Sequence, residues 1–151
     1  MHTDQYVLVK DPKGHFYEFK SIGPKGTITK SVQYHRIKGY PPNIFNLSFG
    51  DWNRTQKRID DQIITNNGDR DMVLATVAAT VKQFTADFPN AVIYVEGSTP
   101  ARTRLYQIGI SKFWHEISQD FVLEGFRQGY WEGFHKGVNY ECFLLKRRIK
   151  S

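Results

Sequence analysis

Residues 91–95, Ala-Val-Ile-Tyr-Val, are a short, nearly continuous apolar run set between two stretches of helical periodicity. That arrangement constrains the fold more than any other feature of the chain. Upstream, Leu74, Val77, Ala78, Val81, Phe84 and Phe88 make an amphipathic stripe. Asp69 or Asp71 is placed to cap its start, and Pro89-Asn90 ends it. Downstream, Gly97 closes the strand, Thr99 offers an N-cap and Pro100 a first helical residue. The second helix is expected to run to about Ser118, with Leu105, Ile108, Gly109, Phe113 and Ile117 on its apolar face. Gly109 weakens it locally and signals close packing against a sheet. An apolar run this short between two helices reads as a central strand covered on both faces. A right-handed crossover from an earlier strand supplies it.

The flanks read as strands. Tyr6–Lys10 is a β-like run ended by the turn Asp11-Pro12-Lys13-Gly14. Phe16, Tyr17 and Phe19 mark a second run, and Ser21 to Gly26 a turn. Thr27–Ile37 alternates polar with apolar, as in a hairpin with one solvated face. Ile44–Phe49 is closed by Gly50-Asp51. Residues 51–70 form a polar loop with a short strand expected at Gln62–Thr65. Phe121–Leu123 and Val138–Lys146 are the last strands. Between them Gly125, Gly129, Gly133 and Gly137 recur every four residues among aromatics. The expected fold is α+β: a twisted, largely antiparallel sheet with two long helices, in the order β-β-β-β-α-β-α-β-β. The 151 residues suit a single domain, 1–151.

Composition narrows the function classes. Aromatics reach 15%, which argues against disorder. The one cysteine, Cys142, excludes an internal disulfide and a multi-cysteine zinc site. No stretch approaches the ~20 apolar residues of a membrane span, and no signal peptide is visible at Met1-His2-Thr3-Asp4. A cytoplasmic protein without membrane partners is expected. The net charge of +6 is a superficial argument for nucleic acid. Four of those charges, Lys146, Arg147, Arg148 and Lys150, lie in the last six residues. The preferred reading is a solubilising end to the last strand, and a nucleic-acid partner is not favoured.

The sharpest motif is Gly97-Ser98-Thr99-Pro100-Ala101-Arg102-Thr103-Arg104. It combines a strand end, two hydroxyls, a helix N-terminus and two arginines. Backbone N–H groups and the helix dipole favour an anion there, and a guanidinium grips phosphate or carboxylate bidentately. Gly97, Ser98, Thr99, Arg102 and Arg104 are therefore the candidate ligand site, suited to a nucleotide or another phosphorylated ligand. The competing reading is a well-capped helix. The P-loop pattern is absent. Asn66-Asn67-Gly68-Asp69-Arg70-Asp71 reads as plain capping of the first helix. With Asp60 and Asp61 it lacks metal-loop spacing. The histidines His2, His15, His35, His115 and His135 show no metal-ligand spacing, and no metal or cofactor is expected. Cys142 lies in an apolar run and reads as a buried structural thiol. Phe126, Tyr130, Trp131 and Phe134 read as a glycine-bent hairpin with aromatic packing or as a surface for a protein partner.

Two resemblances follow from these residues. The string Asn67-Gly68-Asp69 with Val73-Leu74-Ala75-Thr76-Val77, then Gly97-Ser98-Thr99 with Ala101–Tyr106, then Asn139-Tyr140-Glu141, resembles a small bacterial family of unknown function over nearly the whole chain. The order of elements is also similar to that of the GNAT acyltransferases. That resemblance implies Tyr106 as a general acid, with Thr99 near the family's usual Asn. It departs at the start of the first helix, where Asp69 and Asp71 replace the Gln/Arg-x-x-Gly-x-Gly/Ala loop that holds coenzyme A. Three readings result: an anion-recognising binding or regulatory module, a divergent acyltransferase, and a component of a toxin–antitoxin or defence pair acting through the aromatic stretch.

Overall fold

A computed structural model describes residues 4–60 and 65–149. The fold is α+β, with three helices among the described residues and strand pairs that are mostly antiparallel. The chain divides into two compact units. One comprises Arg36–Leu47 and Phe88–Ser151, the other His2–His35 and Ser48–Asp87.

The second of these units is built on β1 (Val9–Lys10), β2 (Phe16–Gly23), β3 (Gly26–Arg36) and helix α1 (Arg70–Asp87). β2 and β3 form the hairpin read from the sequence, in register Phe16↔Gln33 to Gly23↔Gly26. The strand extends through Ser21 to Gly23, so the turn is only Pro24-Lys25. Of the helical stripe, Leu74, Val77 and Phe84 are buried, whereas Ala78, Val81 and Phe88 are only half-buried and the polar Thr76, Thr80 and Thr85 are fully buried beside them. Phe84 stacks on Tyr34 at 4.1 Å, and the Tyr34 and Thr80 hydroxyls lie 2.8 Å apart. Phe19, Val32, Tyr17 and Phe84 are nearly inaccessible to solvent. The N-terminal run is ordered as a strand only at Val9–Lys10. Residues 4–8 leave the ladder because the Tyr6 N–H is bound at 2.9 Å by Thr76 Oγ1 of α1.

β4 (Ile44–Asn53) does not stop at Gly50-Asp51. It runs on to pair with β5 (Arg58–Ile59), Trp52 opposite Ile59. Gly50 serves close approach rather than termination: a Cβ there would lie 2.7 Å from Ile59 Cγ2 and 3.0 Å from the Asp60 carbonyl oxygen. Of the strand expected at Gln62–Thr65, residues 62–64 lie outside the described residues and Thr65 is irregular.

In the other unit β6 (Val92–Val95) is the central strand the apolar run requires. It pairs parallel with Ile44–Leu47 of β4 and antiparallel with β9 (Cys142–Arg147). β9 pairs in turn with β7 (Phe121–Arg127), and β7 with β8 (Tyr130–Gly133). The β7–β8 turn is Gln128-Gly129, with φ of 52° and 86°, the left-handed pair a two-residue hairpin needs. Trp114, Tyr140 and Phe143 pack around Phe134, and a Cβ on Gly125 would collide with the Tyr140 ring at 2.4 Å.

Further boundaries differ from expectation, β7 running on to Arg127 rather than ending at Leu123. The second helix is two helices, α2 (Pro100–Lys112) and α3 (Trp114–Asp120), because Phe113 leaves helical geometry with φ −102° and ψ 16° while its ring stays buried. The last strand starts at Cys142, not Val138. The Gln107 side-chain amide of α2 binds Val138 O and Tyr140 N–H, and these groups are thereby withdrawn from the ladder.

Candidate functional site

The β6–α2 turn brings four of the five candidate ligand residues together. Gly97 is forced by packing: a Cβ would stand 2.4 Å from Thr103 N and 2.6 Å from the Arg102 carbonyl carbon. Its N–H donates to Thr103 Oγ1 at 2.9 Å, which fastens the strand end to the first turn of α2. Thr99 is the N-cap, extended at φ −137° and ψ 159°, and its Oγ1 accepts from Arg102 N–H at 3.2 Å. Pro100 occupies the first turn, as the sequence indicates.

Arg102 folds back on this turn. Its Nη1 donates to Ser98 Oγ at 3.0 Å. Its Nη2 is buried and has no hydrogen-bond partner among the described residues. A buried guanidinium nitrogen left without an acceptor is costly, by about 1–3 kcal/mol or more. Arg104 is exposed. It lies two residues on, about 200° around the helix, so it does not converge with Arg102 on one point. Tyr106 lies on the Arg102 side of the helix but is only 8% exposed.

A carboxylate flanks the turn. Glu96 is exposed and receives the Tyr94 hydroxyl at 2.5 Å. Burial, then the Cys142 and Glu96 contacts, push the Tyr94 phenol far up. Burial also pushes up the Cys142 thiol, consistent with an inert structural cysteine.

Asn67-Gly68-Asp69 is a closed structural clamp. Asn67 is 2% exposed. Its Nδ2 donates to Gly26 O at 2.9 Å and Ser21 Oγ at 3.3 Å, and its Oδ1 accepts Lys25 N–H at 2.8 Å. Asp69 Oδ2 accepts the Ser21 and Tyr6 hydroxyls, both at 2.5 Å. The motif thus holds the β2–β3 turn against the start of α1, so the Asp69 carboxylate serves tertiary contacts rather than the capping read from the sequence. The separation of 42 positions between Asn67 and Lys25 left no local signal for it.

Lys30 is a second residue that sequence reasoning missed. The alternation of Thr27–Ile37 implied a solvated polar face, yet Lys30 shares the buried face with Val32 and Tyr34 and is 1% exposed. Its ammonium lies 2.5 Å from Asp51 Oδ1 and 2.8 Å from Thr65 O. The other Asp51 oxygen accepts Thr65 N–H at 3.1 Å.

The remaining candidates separate. Arg147 lies over the Phe121 ring at 5.3 Å, and Arg148 Nε donates to Ser118 O at 2.8 Å near the end of α3. Part of the basic terminus is therefore bound into the fold, while Lys150 lies outside the described residues. Phe134 is 7% exposed and belongs to the core, so it is withdrawn from the proposed partner surface. Tyr130 and Trp131 stay exposed at 50% and 37%, with Phe126 packed 5.2 Å from Trp131. His2 lies outside the described residues, and no group of three metal-ligating side chains occurs among those described. No described helix is long and apolar enough to cross a membrane.

A family model matches residues 2–148, and its description assigns no function. No curated protein and no solved structure matches the chain. The likeness in element order to the GNAT acyltransferases therefore gains no support from a structural neighbour.

Proposed function

We propose, for a chain that belongs to the family of unknown function DUF6934, that it is a binding module for an anionic, phosphate-bearing ligand or partner. The ligand is placed at the β6–α2 turn, on Ser98, Thr99 and Arg102, with Gly97 shaping the turn and Arg104 adding long-range positive field. One observation carries the reading: Arg102 Nη2 is buried at a helix N-terminus without an acceptor among the described residues. A phosphate oxygen would complete it while gaining from the helix dipole. Nucleotides and polyphosphates are the ligand class with that chemistry. A thermal-shift and calorimetric screen of them tests the reading, with Arg102→Ala and Arg104→Ala as controls. Binding that survives both substitutions removes the site.

A second reading is a divergent acyltransferase with Tyr106 as general acid. It is supported by the strand sequence β4-β6-β9-β7, with β4 and β6 parallel. It ranks second for two reasons. The start of α1, where an acyltransferase of that order would hold coenzyme A, carries Asp69 and Asp71, which repel pyrophosphate. Tyr106 is also largely buried. Absence of acetyl-coenzyme A binding at millimolar ligand would eliminate it.

A further inference from the structure

The outer edge of β2 is closed by unlike devices. β1 covers only Tyr17 and Glu18, in register Lys10↔Tyr17 and Val9↔Glu18. Asp11 N–H donates to Phe16 O at 2.9 Å. At Ile22 the closing group is a side chain: the Tyr6 phenol oxygen accepts Ile22 N–H at 3.1 Å. Its own proton serves the nearer acceptor, Asp69 at 2.5 Å, with the Ile22 carbonyl at 3.3 Å. Between these positions stands exposed Lys20, the charged residue that commonly guards a sheet edge.

This edge is complementary to itself. Phe16, Glu18, Lys20 and Ile22 share one parity, so their backbone groups face outward together. An antiparallel pairing of two such edges centred on Phe19 sets Phe16 opposite Ile22 and Glu18 opposite Lys20, each pair occurring twice. The apolar partners are already exposed, at 43% for Phe16 and 65% for Ile22. A centre shifted by one residue sets Glu18 against Glu18 or Lys20 against Lys20. Cross-strand pairs of opposite charge stabilise and like charges oppose, so charge alone selects the Phe19 register.

We propose that the outer edge of β2 is a homodimer edge, paired with the same edge of a second copy, and that the N-terminal arm, residues 4–11, holds it shut. The arm is a light closure. Val7 and Val9 are 86% and 64% exposed. The arm is held by Tyr6, stacked on Phe19 at 5.7 Å with its N–H on Thr76 Oγ1 at 2.9 Å, by the exposed Lys10–Asp87 ion pair at 3.0 Å, by the two-residue β1 ladder, and by Asp11, whose Oδ1 accepts the Phe16 N–H at 2.8 Å and the His15 N–H at 2.9 Å. The interface is isologous, as two-fold dimers require.

Light scattering on the 151-residue chain tests this. Tyr6→Phe keeps the ring and its stacking on Phe19 but removes the bonds to Ile22 N–H and Asp69; Tyr6→Ala removes the stacking as well. Both variants are expected to dimerise at concentrations where the wild-type chain is monomeric. In the Tyr6→Phe background, Glu18→Lys sets lysine against lysine and weakens the dimer by about tenfold or more. Adding Lys20→Glu restores it. A folded Tyr6→Phe chain that stays monomeric overturns the proposal. So does a dimer that ignores Glu18→Lys. If Tyr6→Ala fails to fold, Tyr6→Phe alone decides.

Discussion

The guanidinium of Arg102 is tied to Ser98, four residues earlier, through Nη1 at 3.0 Å, while Nη2 is buried without a partner among the described residues. Half of the head group is thus used to orient the other half. Ser98→Ala releases it. The expected result is a loss of anion affinity of about threefold to tenfold, as one neutral partner of a charged group is removed. Comparing wild-type and Ser98→Ala pyrophosphate titrations checks this.

Gly97 is set where strand and helix meet too closely for any side chain. Gly97→Ala drives a Cβ against Thr103 N and the Arg102 backbone. A loss of about 2–4 kcal/mol is expected. Gly133→Ala is the control, since nothing lies within 4 Å of its added Cβ, and it should stay within about 0.5 kcal/mol. Urea denaturation of the two variants measures the contrast.

Breaking the Lys30–Asp51 pair leaves a buried charge. Lys30→Met alone and Asp51→Asn alone are each expected to destabilise by about 3–5 kcal/mol. The double change recovers a large part, because no lone charge remains. A double-mutant cycle by chemical denaturation gives the coupling directly. Additive losses would show that the pair is not the source of the cost.

Tyr17 carries a buried hydroxyl without a hydrogen bond among the described residues, in a chain position that is 1% exposed. Tyr17→Phe is expected to raise stability by about 1 kcal/mol. Burial, then the Asp87 and Asp11 charges, push its phenol up to about 12 from 10.0. The folded state therefore resists ionisation that the unfolded chain allows. The stability from the neutral phenol is fully present below pH 10 and is lost as pH rises towards 12. Denaturation midpoints at pH 9 and 11 should converge in Tyr17→Phe more than in the wild-type chain.

The elements marked by a helical period or a short apolar run were legible, although not every buried face: Ile108, read on the apolar face of the second helix, is exposed while Thr103 and Tyr106 are buried. The stripe from Leu74 to Phe88 gave α1, and Ala91–Val95 gave the central strand. Thr99 and Pro100 gave the start of α2 because capping is local chemistry. What escaped depends on contacts between distant positions. Gln107 shortened the last strand from 33 positions away, and Tyr6 left its strand for Thr76, 70 positions on. Lys30 broke the polar-outside rule because Asp51 meets it in the core. The candidate site shows the same division. Its turn was readable, while the separation of Arg102 from Arg104 needed the helix phase, and the burial of Phe134 needed the cluster around it.

The most direct test of anion recognition is a two-dimensional amide NMR titration with inorganic pyrophosphate at low salt. Saturable shifts are predicted at Gly97, Ser98, Thr99, Ala101 and Arg102, with affinity falling by about tenfold or more in Arg102→Ala and only modestly in Arg104→Ala. Shifts confined to other surfaces, or an unchanged titration in Arg102→Ala, would contradict it.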